Sequence, residues 1–92
     1  MIVWDDKKFK ILKKEREIDL NEIAQLILDK KYIKIMNNPS RENQQIFILL
    51  YKNYIHIVPF IYDQDENIII KTAFPNSDLN KKFNKGDKKY EN

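Results

Sequence analysis

This 92-residue sequence has no cysteine, a single glycine, a single histidine and three prolines. Without cysteine it can build neither a disulfide framework nor a thiolate zinc site, which suits a reducing cytosol. The lone glycine, Gly86, excludes a P-loop and a GxGxxG dinucleotide fingerprint, because both need several glycines where backbone meets phosphate. No apolar run approaches the roughly 18 residues that span a bilayer. The opening segment MIVWDDKKFK lacks the apolar core of a signal peptide. A soluble, cytoplasmic protein is therefore expected. With one histidine, and with carboxylates gathered only as an acidic turn at Asp63, Asp65 and Glu66, no metal site is expected. The familiar calcium loops also need a glycine that is missing here. No cofactor is anticipated.

What the sequence does contain is one strongly apolar stretch. Gln45 to Pro75 reads QIFILLYKNYIHIVPFIYDQDENIIIKTAFP, three β-branched and aromatic runs parted by two short polar breaks. A chain of this length forms one domain, with a stability of about 5–13 kcal/mol at ordinary per-residue values. Residues 1–84 are read as that domain and 85–92 as a flexible basic tail. The net charge of +3 is modest, but lysines crowd Lys7 to Arg16 and Lys81 to Lys89. Basic clusters at both ends suit a polyanion or an acidic protein partner, or are simply solvated helix faces.

Taken in order, Met1–Trp4 reads as a short strand, and Asp5–Asp6 offers an N-cap for a lightly packed helix through about Lys14. Asp19 with Glu22 forms a capping-box variant. Behind it, Leu20, Ile23, Ala24, Leu26, Ile27 and Leu28 recur at helical spacing, with Lys30 and Lys31 in the last turn. This second helix is expected to be the main lid of the core. Tyr32–Met36 is a second strand and Asn37–Gln44 a polar loop. Strands then follow at 45–51, 54–62 and 68–74, the first two joined by a two-residue turn at Lys52–Asn53. Pro59 removes a ladder donor and argues for a bulge. Ser77 or Asp78 caps a short helix through about Phe83. The fold class is α+β: a mostly antiparallel sheet in the order β-α-α-β-β-β-β-α, two helices on one face and a short C-terminal helix.

Strand alternation divides the sheet into two faces, if Tyr51 pairs with Tyr54 and Ile61 with Ile69. One face is aliphatic: Ile46, Ile48, Leu50, Ile55, Ile57, Ile61, Ile69 and Ala73. It is the face expected under the helices. The other carries Phe47, Leu49, Tyr51, Tyr54, His56, Val58, Phe60, Tyr62, Ile70, Thr72 and Phe74, an amphipathic surface suited to an interface or a nucleic-acid groove. Tyr51, Tyr54 and Tyr62 are the partner-binding candidates on it. His56 is the only side chain that ordinarily titrates near neutrality. It is either a proton-transfer group or a histidine satisfied within the sheet. Lys71, a lone cation in an apolar strand, either snorkels to the edge or meets a phosphate.

The opening VWDDKKFKILKKE resembles the start of the BrnT-like toxins of bacterial toxin–antitoxin pairs. The block YIHIVPFIYDQDENIIIKTAFPNSDLNKKF resembles a group of small toxins through Val58–Phe60, Lys71–Thr72 and the Lys81–Lys82 pair before Phe83. The resemblance implies a RelE/BrnT-like fold and a type II toxin that cleaves mRNA without a metal. It also implies neutralisation by a cognate antitoxin, typically a ribbon-helix-helix DNA-binding protein. Attack by the 2′-hydroxyl needs a base, an acid and positive charge for the phosphorane. His56, Lys71, Lys81 and Lys82 are the catalytic candidates, and Arg41, Lys71, Lys81, Lys82 and Lys85 the RNA-binding ones. One departure stands out. Where the group has Ser-Arg-Lys after the proline, this chain has Asn76-Ser77-Asp78. A catalytically impaired module that holds an antitoxin or nucleic acid without cleaving is the alternative.

Overall fold

The computed structural model describes residues 1–84. The elements run β1 (Ile2–Trp4), α1 (Asp6–Arg16), α2 (Leu20–Leu28), β2 (Tyr32–Asn37), β3 (Gln45–Tyr51), β4 (Tyr54–Tyr62), β5 (Ile68–Ile70), β6 (Phe74–Pro75) and α3 (Ser77–Phe83). The fold is α+β. Five strands lie in the order β1-β5-β4-β3-β2, and β6 pairs β4 beyond the end of β5. All ladders are antiparallel except β1 with β5, so the sheet is mixed. No helix among the described residues is long and apolar enough to cross a membrane. The expected tail at 85–92, and with it Lys85, lies outside the described residues.

Local chemistry explains the helix ends. The Asp5 side chain accepts from the backbone N–H of Lys7 and Lys8 and starts α1. Only Leu12 of this helix is buried, so it packs lightly, as its lysine content implies. It closes with Glu17 in the left-handed region (φ 56°) while Ile18 N–H donates to Leu12 O at 3.1 Å. Glu17 N–H also donates to Leu12 O, the six-to-one bond of such a cap, and both Ile18 and Leu12 are buried beside it. α2 ends at Leu28, earlier than expected, so Lys30 and Lys31 follow it and do not occupy its last turn. α3 is capped by Asn76, one residue before the expected position, through Leu79 N–H at 2.8 Å.

The β3–β4 hairpin has the expected register. Tyr51 faces Tyr54, and Lys52 and Asn53 both have positive φ (52° and 63°), the pattern of a type I′ turn made without glycine. Ile61 faces Ile69, also as expected.

The strand expected at 68–74 is broken at Lys71–Ala73. Within the β4–β5 ladder Phe60 faces Ile70, yet farther along it is Phe74 that faces Ile57. An unbroken ladder would have put Ala73 there, so the chain carries one extra residue in the gap. Pro59 supplies the reason. Its carbonyl accepts Lys71 N–H at 2.8 Å, so its nitrogen, which has no hydrogen, points toward the same gap. The bulge that Pro59 implies is therefore accommodated on the neighbouring strand. Shifting the chain by one residue exchanges faces. Ala73 joins the aromatic cluster and Phe74 packs with the aliphatic one, the reverse of the alternation read from sequence.

The covering of the faces also differs from expectation. α1 and α2 lie over the aromatic face: Leu12, Ile18, Leu20, Ile23 and Ile27 pack with Phe47, Leu49, Tyr51, Val58 and Phe60. The rings of Phe47 and Phe60 stack at 4.2 Å. The aliphatic face, with Ile46, Ile48, Ile55 and Ile57, is covered by Leu79 and Phe83 of α3 instead. The surface expected to suit an interface or a nucleic-acid groove is mostly core. Phenyl rings offer the larger apolar area, and the two longer helices are what can enclose it.

Candidate functional site

The aromatic face is not covered to its end. Where α1 stops and the β3–β4 hairpin turns, Arg16, Glu17, Ile18, Tyr51, Lys52, Tyr54, His56, Pro75 and Ser77 line a cleft of about 530 Å³. Strand alternation brings Tyr54 and His56 to the α1–α2 side of β4. The cross-strand pair with Pro75 brings the start of α3 against them.

His56 is 7% exposed, with Tyr51 and Tyr54 edge-on to its ring at 5.2 and 6.3 Å. Its Nδ1 lies 2.9 Å from the Tyr54 carbonyl oxygen. A carbonyl can only accept, so Nδ1 carries the hydrogen and Nε2 of the neutral ring has the lone pair. Burial holds the imidazole pKa below its ordinary 6.5, and the Lys52 charge adds to this against the Tyr54 hydrogen bond. The ring is neutral at pH 7.

The cations of the cleft are positioned by backbone oxygens. Arg16 Nη1 donates to Ala73 O at 3.0 Å, inside the break between β5 and β6. Lys52 Nζ donates to Glu17 O at 2.7 Å, at the end of α1, and stands 5.3 Å from the Tyr51 ring. Tyr51 itself belongs to the framework. Its hydroxyl accepts from Asp19 N–H at 3.1 Å and donates to Glu22 Oε1 at 2.6 Å. The capping box expected between Asp19 and Glu22 is thus completed through a tyrosine from the sheet. Burial and the bond to the Glu22 carboxylate push the phenol up to about 12, so it remains protonated.

The residues singled out from sequence do not form one site. His56 and Tyr54 share the cleft with Arg16 and Lys52, neither of which had been singled out. Lys71 and Arg41 come together in a separate cleft with Lys8. Lys81 and Lys82 are exposed on α3, the latter with its ammonium 5.4 Å from the Phe83 ring, and neither lines the His56 cleft. Tyr51 is 5% exposed and Tyr62 52% exposed. Tyr62 is eight strand positions from Tyr54, about 27 Å at the usual rise, and does not line the cleft that Tyr51 and Tyr54 share. Arg16 was hidden because it looks like one more cation of a basic helix; only the turn at Glu17 and the carbonyl of Ala73 single it out.

Among the described residues no group of His, Cys, Asp and Glu side chains is arranged to hold a metal. Comparison with protein-family models, with curated proteins and with solved structures finds no match to this chain.

Proposed function

We propose that this chain is the toxin of a type II toxin–antitoxin pair, a metal-independent endoribonuclease of the RelE/BrnT kind, with its chemistry in the His56 cleft. The observation that supports this reading is a neutral histidine with its Nδ1 hydrogen-bonded, set in an open cleft beside two cations. In this mechanism His56 Nε2 takes the proton of the 2′-hydroxyl as that oxygen attacks phosphorus. Arg16 and Lys52 balance the charge gathering on the phosphorane, and Tyr54 returns a proton to the departing 5′-oxygen. Ser77 lines the same cleft, at the position where the resembling toxins carry arginine. Arg16 supplies a guanidinium there from α1, so the departure at Asn76–Asp78 does not leave the cleft without one. A ribbon-helix-helix antitoxin is the proposed neutralising partner.

A second reading keeps the fold and drops the catalysis. Lys71, Lys81 and Lys82 all lie outside the His56 cleft, which favours a module that binds RNA or an antitoxin without cutting. Tightly induced expression separates the two. Growth arrest with discrete new 5′ ends on primer extension supports the nuclease, and normal growth with intact RNA from folded protein supports the binder. For the nuclease, His56→Ala is expected to slow cleavage roughly 10²–10⁴-fold, the usual contribution of a general base. The wild-type rate should fall in acid as His56 becomes protonated, at a lower pH than a free imidazole would require, because burial lowers its pKa. An unchanged rate in His56→Ala returns the residue to a packing role.

A further inference from the structure

The second cleft has no part in that mechanism. It has a volume of about 440 Å³ and is lined by Lys8 of α1, Arg41 of the β2–β3 loop and Lys71 of the β5–β6 break. Ser40, Thr72, Pro59 and Phe74 complete most of its wall, and no lining residue is acidic. All three cations are exposed, and Lys13–Asp19 is the ion pair found among the described residues, so none of the three has a carboxylate partner there. Three like charges drawn to one concavity from distant parts of the sequence repel one another, and a bound anion relieves that repulsion.

The connection between the clefts indicates which anion. Lys71, Thr72 and Phe74 line the basic cleft, while Pro75 and Ser77, directly after them, line the His56 cleft. Thr72 and Ser77 are five residues apart, at most about 18 Å along the chain. Both clefts carry cations, Arg16 and Lys52 in one and Lys8, Arg41 and Lys71 in the other, so one ligand that reaches both needs negative charge at intervals, as a nucleic-acid backbone has. Its nucleotide must also leave the stacked helical geometry for in-line attack, which a single strand allows.

We propose that Lys8, Arg41 and Lys71 form a phosphate-binding subsite for single-stranded RNA, which holds the strand beside the nucleotide presented to His56. The subsite governs affinity, and Lys71 acts there as a binding residue and not in the chemistry. The identity of the ligand rests on the nuclease reading above.

The test uses the full chain and a fluorescent ten-nucleotide RNA, 2′-O-methylated so that it is not cut. That length lies within the roughly 4–16 nucleotides covered by small single-strand-binding surfaces. Binding is followed by anisotropy across a potassium chloride series. Arg41→Gln with Lys71→Gln should weaken binding and make the slope of log K against log salt shallower by about 1.4, since each single-strand phosphate contact contributes about 0.7. Lys8→Gln should add about 0.7 more. Lys30→Gln with Lys31→Gln, beyond the end of α2, should leave the slope unchanged. An unaltered slope in the Arg41–Lys71 variant, or an equal loss in the Lys30–Lys31 control, overturns the subsite. Binding of a ten-residue glutamate peptide that matches the RNA and depends equally on Arg41 and Lys71 would overturn it in favour of an acidic protein partner. RNA bound with the expected slope but never cut in its unmodified form upholds the subsite and defeats the nuclease. Cleavage with an unaltered slope does the opposite.

Discussion

The two faces of the sheet are both apolar, and they are closed by different means. On the α1–α2 side, phenyl rings and branched side chains from β3 and β4 meet a broad apolar helix stripe. On the α3 side a small aliphatic cluster meets a seven-residue helix that contributes Leu79 and Phe83. So short a helix has little apolar area with which to hold itself down, and amides assist it. Asn80 Oδ1 accepts from Ile55 N–H at 3.0 Å and from Asn84 Nδ2 at 3.0 Å, while Asn84 Nδ2 also reaches Asn53 O at 3.1 Å. Cover is incomplete: Met36 and Leu50 remain 39% and 41% exposed. Burial of area dominates one face, and directional bonding contributes much of the attachment on the other.

The largest expected effect breaks the first face. Phe60→Ala removes a ring with no exposure and should cost about 3–5 kcal/mol in urea denaturation, a large part of the stability of a chain this size. A cost below that of a typical surface substitution would mean that the aromatic face is not the centre of the fold.

Next comes the amide attachment of α3. Asn80→Ala leaves Ile55 N–H buried without the side-chain oxygen that accepts it and should cost about 1–3 kcal/mol. The accompanying gain in hydrogen exchange should be confined to Ile55 and α3. Exchange spreading evenly through α1 and α2 would show that the two faces are not held independently.

Tyr51→Phe sharpens the comparison within the first face, because it removes a polar lock and leaves the apolar packing. A loss of about 1.5–3 kcal/mol is expected for hydrogen bonding that involves the Glu22 carboxylate. The folded phenol is raised from 10 to about 12, so the unfolded chain gives up its proton first. Wild-type stability should therefore fall as pH rises from 10 toward 12, and the Tyr51→Phe variant should lack that part of the slope. Equal slopes in the two proteins would detach Tyr51 from Glu22.

Much of this architecture was legible because its signals are local. The Asp5 and Asp19 caps, the apolar repeat from Leu20 to Ile27, and the Tyr51–Tyr54 and Ile61–Ile69 pairings all follow from residues close in sequence or from strict alternation. The cover of each face was not legible. Alternation sorts side chains onto opposite sides of a strand and is silent about which side a helix will occupy. The misplacement of Ala73 and Phe74 has a similar origin, since a one-residue bulge opposite Pro59 reverses every later assignment. For the site, His56 stood out as the sole histidine, whereas Arg16 and Lys52 were hidden among seventeen lysines and arginines.

The sequence by itself determined that three apolar runs would pair as an antiparallel sheet, that two helices would precede it, and that metal-thiolate and glycine-loop chemistries were closed to this chain. These follow from periodicity, capping chemistry and the bare presence or absence of residue types, which need no knowledge of distant contacts. Tertiary structure decided that the aromatic face would be the core, that Tyr51 would complete the α2 cap, and that Arg16 and Lys52 would stand beside a neutral histidine. Each of those depends on side chains far apart in sequence meeting across a packed interface, where volume, burial and hydrogen-bond geometry together select one arrangement.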